Sequence, residues 1–347
     1  MVPQIETAAG VLGELASATV PYVSDVFERF LDGVYGAGMD SLSELIGVDM
    51  LGYPYMQRAY LAAVLIAVIG PFIGTFLVHR EMSMISDTLA HTAFAGVAVG
   101  LFVNTTFSLS VSPILTALVA AVITALLVEV LIEHAGEYTD SSLAMVLTGG
   151  FAVGSILITA NDGGISVGID AYLFGNLSTV SKESVGILAA MTVVVGTLVA
   201  VAYRPLLYVT FDATAARASG ISVRWYKRLM VVLTAVVVVG AMQIMGVILV
   251  AGMVVIPVSA ASLVASSFRR SMFLAVVGGE IASVVGVSLA YVYGVAAGGS
   301  IVVAAIAVYA SVFVLRSGAE KKSKIYSVFR TEERKEVEGV SADGGER

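Results

Sequence analysis

Residues 229–268 run LMVVLTAVVVVGAMQIMGVILVAGMVVIPVSAASLVASSF, forty positions without one Asp, Glu, Lys or Arg. About 20 apolar residues cross the hydrocarbon core of a bilayer as a helix. This stretch is therefore long enough to cross, turn and cross again, and Gly246 to Gly252 mark where the turn belongs. Further windows without those four residue types lie at 59–79, 88–128, 141–161, 184–203 and 281–315. The 347-residue chain is 58% hydrophobic and 13% charged, whereas soluble domains carry about 25% charged residues. Six such windows exclude a soluble core. They predict an all-α, polytopic transmembrane helical bundle.

Working outward, 59–79, 141–161 and 184–203 each hold one span. Window 88–128 is too long for one, and Asn104-Thr105-Thr106 with Ser108, Ser110 and Pro113 marks a turn inside it. The last apolar stretch divides at Gly294 to Gly299. The count is nine candidate spans, or eight if a short segment only re-enters the membrane. This places an acidic extension at 1–57, a membrane domain at 58–316 and a charged tail at 317–347. With nine spans, the basic positions fall on one side: His79-Arg80, the loop from Arg204 to Arg228, Arg269-Arg270, and Lys321, Lys322 and Lys324. An excess of Lys and Arg in short loops marks the cytoplasm, so the extension is expected outside. Its Phe27, Phe30, Leu31 and Val34 recur at helical spacing. That fits either a helix at the membrane interface or a flexible acidic tail.

Net charge is −7, and the first 57 residues hold eight acids against one base. No Lys/Arg-rich stretch points to nucleic acid, and no basic stretch followed by an apolar one points to a cleavable signal peptide. Cysteine is absent, which excludes thiolate ligands, disulfides and a cysteine nucleophile. No G-x4-G-K-[ST], G-x-S-x-G or H-E-x-x-H occurs, so neither an ATPase nor a hydrolase is expected. Gly70 and Gly74, Gly96 and Gly100, and Gly150 and Gly154 recur at the four-residue spacing that brings helices close in lipid.

Asp87 and His91 stand four apart, which puts both on one helix face. Either alone reads as a helix cap or a packing histidine. Together, at the head of a long apolar run, they read as a ligand pair lining a pathway, and a carboxylate with an imidazole suits zinc, manganese or ferrous iron. Glu280 is a second acid inside an apolar stretch, and Gln243 stands in the longest uncharged run. Both are candidate pathway residues, and both also fit ordinary positions: Glu280 at a helix edge, Gln243 bonding between helices. Asp212 can cap a short helix over 213–219 that Gly220 ends. Such a helix between two spans is either a docking surface or a plain connection.

Four blocks of sequence resemble the membrane permeases of zinc, manganese and iron ABC importers, over about 54–316. The first is His79-Arg80-Glu81-Met82-Ser83-Met84-Ile85-Ser86-Asp87-Thr88-Leu89-Ala90-His91, followed by Gly96-Val97-Ala98. The second is Tyr172-Leu173-Phe174-Gly175-Asn176-Leu177. The third is 211–228, with Asp212, Ala216 and Gly220. The fourth is Gly246 to Ser259 with Pro257, then Ala296 to Ser300. The resemblance implies a homodimeric permease in the cell membrane, a separate ATPase docking at Asp212, Ala216 and Gly220, and an external metal-binding protein. It implies that Asp87 and His91 form the metal site, with no cofactor held permanently and the metal as cargo. The acidic extension and Glu280 depart from the family pattern, and Gly294 stands where some members carry an acid. A stand-alone secondary cation transporter, with buried acids and glycine-broken helices, is the competing expectation. A permease for an iron chelate or cobalamin, with a wide pore, is a third.

Overall fold

The computed structural model describes residues 27, 29–107, 110–135, 139–160, 169–176 and 180–318. Residues 1–26 and 28 of the acidic extension, Ser108 in the expected turn, Leu177 of the second block and the basic tail from 319 lie outside these residues. The described residues are helical, with no strand among them. In chain order the helices are α1 (Gly36–Ile46), α2 (Pro54–Val78), α3 (Met84–Phe107), α4 (Pro113–Ala135), α5 (Thr139–Thr159), α6 (Ile169–Phe174), α7 (Lys182–Val201), α8 (Tyr203–Phe211), α9 (Ala213–Ala218), α10 (Val223–Met245), α11 (Val247–Ser262) and α12 (Phe268–Tyr293), then α13 (Ala297–Gly318).

Eight of these, α2, α3, α4, α5, α7, α10, α12 and α13, are long and apolar enough to cross a membrane. The ninth expected span is α11, apolar but only 16 residues long, about 24 Å at 1.5 Å per residue. Its two ends nevertheless lie at opposite ends of the bundle. At its start, a Cβ on Gly298 would stand 2.6 Å from the Met245 carbonyl oxygen and 2.8 Å from that of Phe174. Beyond its end, the Phe268 ring meets His79 at 5.1 Å, Phe211 at 5.7 Å and Phe76 at 4.9 Å. α11 therefore runs between the two ends of the bundle rather than turning back, so the described residues hold eight helices of spanning length, within the eight to nine expected, and α11 as a shorter apolar helix beside them. The same contacts gather His79-Arg80, the 204–228 loop and Arg269-Arg270 on one basic face, where the Arg269 guanidinium also sits 5.7 Å from the Tyr203 ring.

The α10–α11 junction shows why the forty-residue stretch breaks where it does. Gly246 has φ +85 and lies against Gly175 N and the Leu173 carbonyl, a conformation and a closeness that side chains resist. The second expected turn is closed by Asn104, whose amide donates to the Val111 carbonyl at 2.7 Å and accepts from Val111 N at 2.8 Å.

Apolar burial does not drive helix association within lipid, so close packing must. Gly96 and Gly100 of α3 admit Thr116 and its neighbours on α4, Gly150 and Gly154 of α5 admit Thr92 and Ala95 of α3, and Gly70 and Gly74 of α2 admit Met253 and Val254 of α11. On the face opposite the basic one, the amphipathic segment expected from Phe27 to Val34 forms a helical turn at Phe30–Tyr35 that leads into α1. It is folded onto the bundle. Tyr35 donates to the Gln57 carbonyl at 3.0 Å, Gln57 Nε2 donates to Asp40 at 2.7 Å, and Lys182 pairs with Asp32 at 2.6 Å. Burial, reinforced by Tyr60, pushes the Tyr35 phenol up to about 12, which keeps it a neutral donor.

Gly246→Ala is expected to lower the thermal stability of the detergent-solubilised chain by about 1–3 kcal/mol through backbone strain. Gly196→Ala, where nothing stands within 4 Å, is expected to hold or raise stability by up to about 1 kcal/mol. Thermal unfolding of both variants checks the contrast; equal shifts would refute it.

Candidate metal site

The α2–α3 connection places the pair. His79 caps α2, its ring bonding the Thr75 carbonyl at 2.8 Å, and Met82 N closes the turn on the Leu77 carbonyl at 3.0 Å. α3 then starts at Met84, with Asp87 in its first turn and His91 one turn further in. His91 Nε2 and Asp87 Oδ1 stand 3.4 Å apart. An ion held about 2.1 Å from each atom would see them at an angle of roughly 110°, close to tetrahedral. His91 Nδ1 is buried without a hydrogen-bond partner, while its ring meets the edge of Phe151 of α5 at 5.5 Å. Phe151 in turn stacks on Phe94 at 5.7 Å.

The helix face carrying the pair is held by its polar neighbours. Thr88 donates to the Met84 carbonyl at 2.9 Å and reaches the Leu143 carbonyl of α5 at 3.4 Å. Thr92 donates to the Thr88 carbonyl at 3.0 Å. The Asp87 side chain is 45% exposed and that of His91 25%, so the pair opens on the outside of a single chain, beside the exposed Phe151. Among the described residues, no cluster of three or more His, Asp or Glu residues exists. One chain thus offers an ion two ligands here, an incomplete shell.

Gln243 and Glu280 are not part of this arrangement. Gln243 approaches the Ser184 hydroxyl of α7 at 3.4 Å, a bond between helices. Glu280 lies half-way along α12, a helix that packs on α2 and α11, whereas α3 is flanked by α4 and α5.

The short helix expected after Asp212 is α9. Asp212 accepts from Thr214 N at 2.9 Å and Ala215 N at 2.8 Å, and Gly220 ends the helix region with φ +81. Ala216 is fully buried with Val209 and Val223. It anchors α9 to the bundle, while Phe211 and Tyr208 are left exposed beside it. The sequence reading missed two charged pairs, Lys182–Asp32 at the arm and one near the short helix. Glu129, almost fully buried, accepts from Arg228 Nε at 2.8 Å and ties α4 to α10. Its signal was available, since Glu129 is the acid that ends an uncharged window.

A family model described as "ABC 3 transport family" matches residues 52–316. The chain belongs to this family. Among relatives of this ABC 3 transport protein, the manganese transport system membrane protein MntC of Halalkalibacterium halodurans is 31% identical over 297 residues, covering 84% of this chain and 97% of that protein. The manganese import system permease protein ScaB of Streptococcus gordonii is 28% identical over 264 residues, covering 74% and 90%. Among solved structures, PsaBC from Streptococcus pneumoniae in complex with Fab matches with a TM-score of 0.68 at 28% identity, covering 78% of this chain and 95% of that one. The family match begins at residue 52, so the arm of Phe30–Tyr35 and α1 lies outside it. The ABC 3 transport protein is a multi-pass protein of the plasma membrane.

Asp212→Ala is expected to remove the cap of α9, worth about 1 kcal/mol, and to speed amide exchange at Thr214 and Ala215. Asp212→Asn retains an oxygen acceptor and is expected to keep most of that protection. Hydrogen exchange read at these amides checks it; equal rates in the two variants would mean the cap contributes nothing.

Proposed function

We infer that the chain is the permease subunit of an ABC importer that moves a divalent metal ion, manganese or zinc, into the cell. The observation that carries this reading is the Asp87–His91 pair, 3.4 Å apart on a membrane-spanning helix inside the region that matches the family. The names of the relatives favour manganese as cargo. The chain holds no cofactor permanently in this reading, and the metal passes through as substrate.

An ion leaving water must exchange its hydration shell for protein ligands and then leave them again. Two ligands bind it too weakly to trap it, which suits a pathway better than a closed four-ligand cage. The pair opens sideways on the α3–α5 face, so a second copy of the chain placed there would bring a second carboxylate and imidazole to the same ion. Energy comes from a separate ATPase subunit, since the sequence has no Walker A pattern. α9 and the exposed Phe211 and Tyr208 form its docking surface on the basic, cytoplasmic face, with Asp212, Ala216 and Gly220 shaping the helix. An external metal-binding protein delivers the ion to the opposite face.

Asp87→Ala and Asp87→Asn are each expected to cut metal uptake by at least about tenfold, as does the loss of a metal-site partner. His91→Ala is expected to impair zinc uptake more than manganese uptake, because manganese relies more on oxygen ligands. Each variant is first shown to reach the membrane and to co-purify with the ATPase. Parental uptake in both alanine variants would remove the pair from the pathway. Uptake by the chain reconstituted without an ATPase would favour the secondary-transporter reading instead.

The orientation has its own check in this cysteine-free chain. A cysteine replacing Arg224 is expected to be shielded from impermeant thiol reagents in intact cells, and one replacing Asp40 to react. Labelling in the reverse pattern would invert the topology.

A further inference from the structure

On the basic face, a cavity of about 860 Å³ opens between the end of α4, the α9–α10 connection and Met82 of the α2–α3 turn. Ligand sites typically occupy about 300–1,000 Å³. Positions 223, 227 and 231 of α10 line it at helical spacing, so one continuous face of that helix forms its wall. Arg217, Arg224 and Lys227 line it together with Glu129 and Glu133. Glu129 is already engaged by Arg228 at 2.8 Å, which leaves Glu133 as the one free carboxylate against three cations among the lining residues. Lys227 is also within electrostatic reach of Arg80 and Arg217, which repel it, and of Glu133 and Glu129, whose smaller effects oppose that repulsion. Arg80 is itself withdrawn from solvent, and burial pushes its guanidinium down from the usual arginine value. Like charges gathered in a partly desolvated space repel, and an anion among them relieves that repulsion.

We propose that this cavity seats a phosphate-ester anion, the headgroup of an anionic phospholipid drawn from the adjoining leaflet. Position and lining both support a lipid as the source. The cavity lies at the ends of membrane-spanning helices, where headgroups are found, and Ile132 and Val231 give it an apolar wall beside the cations. Basic pockets between transmembrane helices are the setting in which anionic headgroups bind. Arg217 belongs to α9, so a bound headgroup would tie the proposed docking helix to α4 and α10 and stiffen the surface on which the ATPase sits. This extends beyond the transport reading and stands on the cavity alone.

The test uses the full chain in neutral detergent, alone and with its ATPase, incubated with phosphatidylglycerol or phosphatidylcholine; native mass spectrometry counts the retained lipid. The expected result is a preference for phosphatidylglycerol of about tenfold, since each basic residue near an anionic headgroup contributes roughly fivefold and Glu133 offsets part of it. Arg224→Gln combined with Lys227→Gln is expected to abolish the preference, with the thermal unfolding of the parent in phosphatidylcholine. Arg269→Gln, on the same face but over Tyr203 and outside the cavity, is expected to keep it. If the double variant does not fold, Arg217→Gln alone is expected to lower the preference severalfold. Displacement of the lipid by millimolar inorganic phosphate would uphold the anion seat and make free phosphate its source. Equal retention of both lipids, a preference that survives the variants inside the cavity, or loss of the lipid on adding the ATPase would overturn the proposal.

Discussion

The fold rests on close backbone approach between helices that share an apolar solvent. In water, burying a leucine draws two helices together; in lipid the tails are as apolar as the leucine, and contact has to come from fit. α3 shows how far this goes. A Cβ on Gly96 would stand 2.7 Å from Ala117 Cα, and one on Gly150 would stand 2.5 Å from the Thr92 methyl. α3 is thereby fixed against both α4 and α5, and the rotation of α3 decides where Asp87 and His91 point. The Asp87–His91 pair is thus positioned by glycines that carry no chemistry themselves.

That positioning has a particular character. Thr88 and Thr92 return their hydroxyls to the backbone of α3, and Thr88 also reaches α5, so the polar groups around the pair are satisfied within the packing. His91 Nδ1 is the exception. A buried nitrogen without a partner is costly; the ring meets Phe151 of α5 and, along α3, Asp87.

Much of this was legible in the sequence. Uncharged windows located the spans because charge is excluded from lipid regardless of how helices pack, and Gly246 announced its turn because few other residues accept φ +85 there. The Asp87–His91 pair was legible because a four-residue spacing has one meaning on a helix. What failed to show was anything set by which helices become neighbours. The spacing of Gln243 and Glu280 within apolar runs says that they are buried polar groups, not that one faces α7 and the other sits on α12, away from α3. Ala216 matched a docking segment, and its small methyl side chain is buried in the packing beneath α9. The Glu129–Arg228 pair joins residues 99 apart, a distance at which local pattern carries no information.

The arm at the end of the bundle opposite the basic face has a consequence for how the chain is made. Asp32 closes on Lys182, a partner 150 residues later in the sequence, and Tyr60 closes on Ser288, 228 residues later. At a synthesis rate of about 5–20 residues per second, the arm waits roughly 10–30 s for its lysine. Throughout that interval Leu31, buried in the finished fold, waits for the later helices that complete its surroundings. The newborn protein therefore passes through a stage in which its first helices are made but unlatched, and these last stitches can be drawn only when nearly the whole molecule has been synthesised.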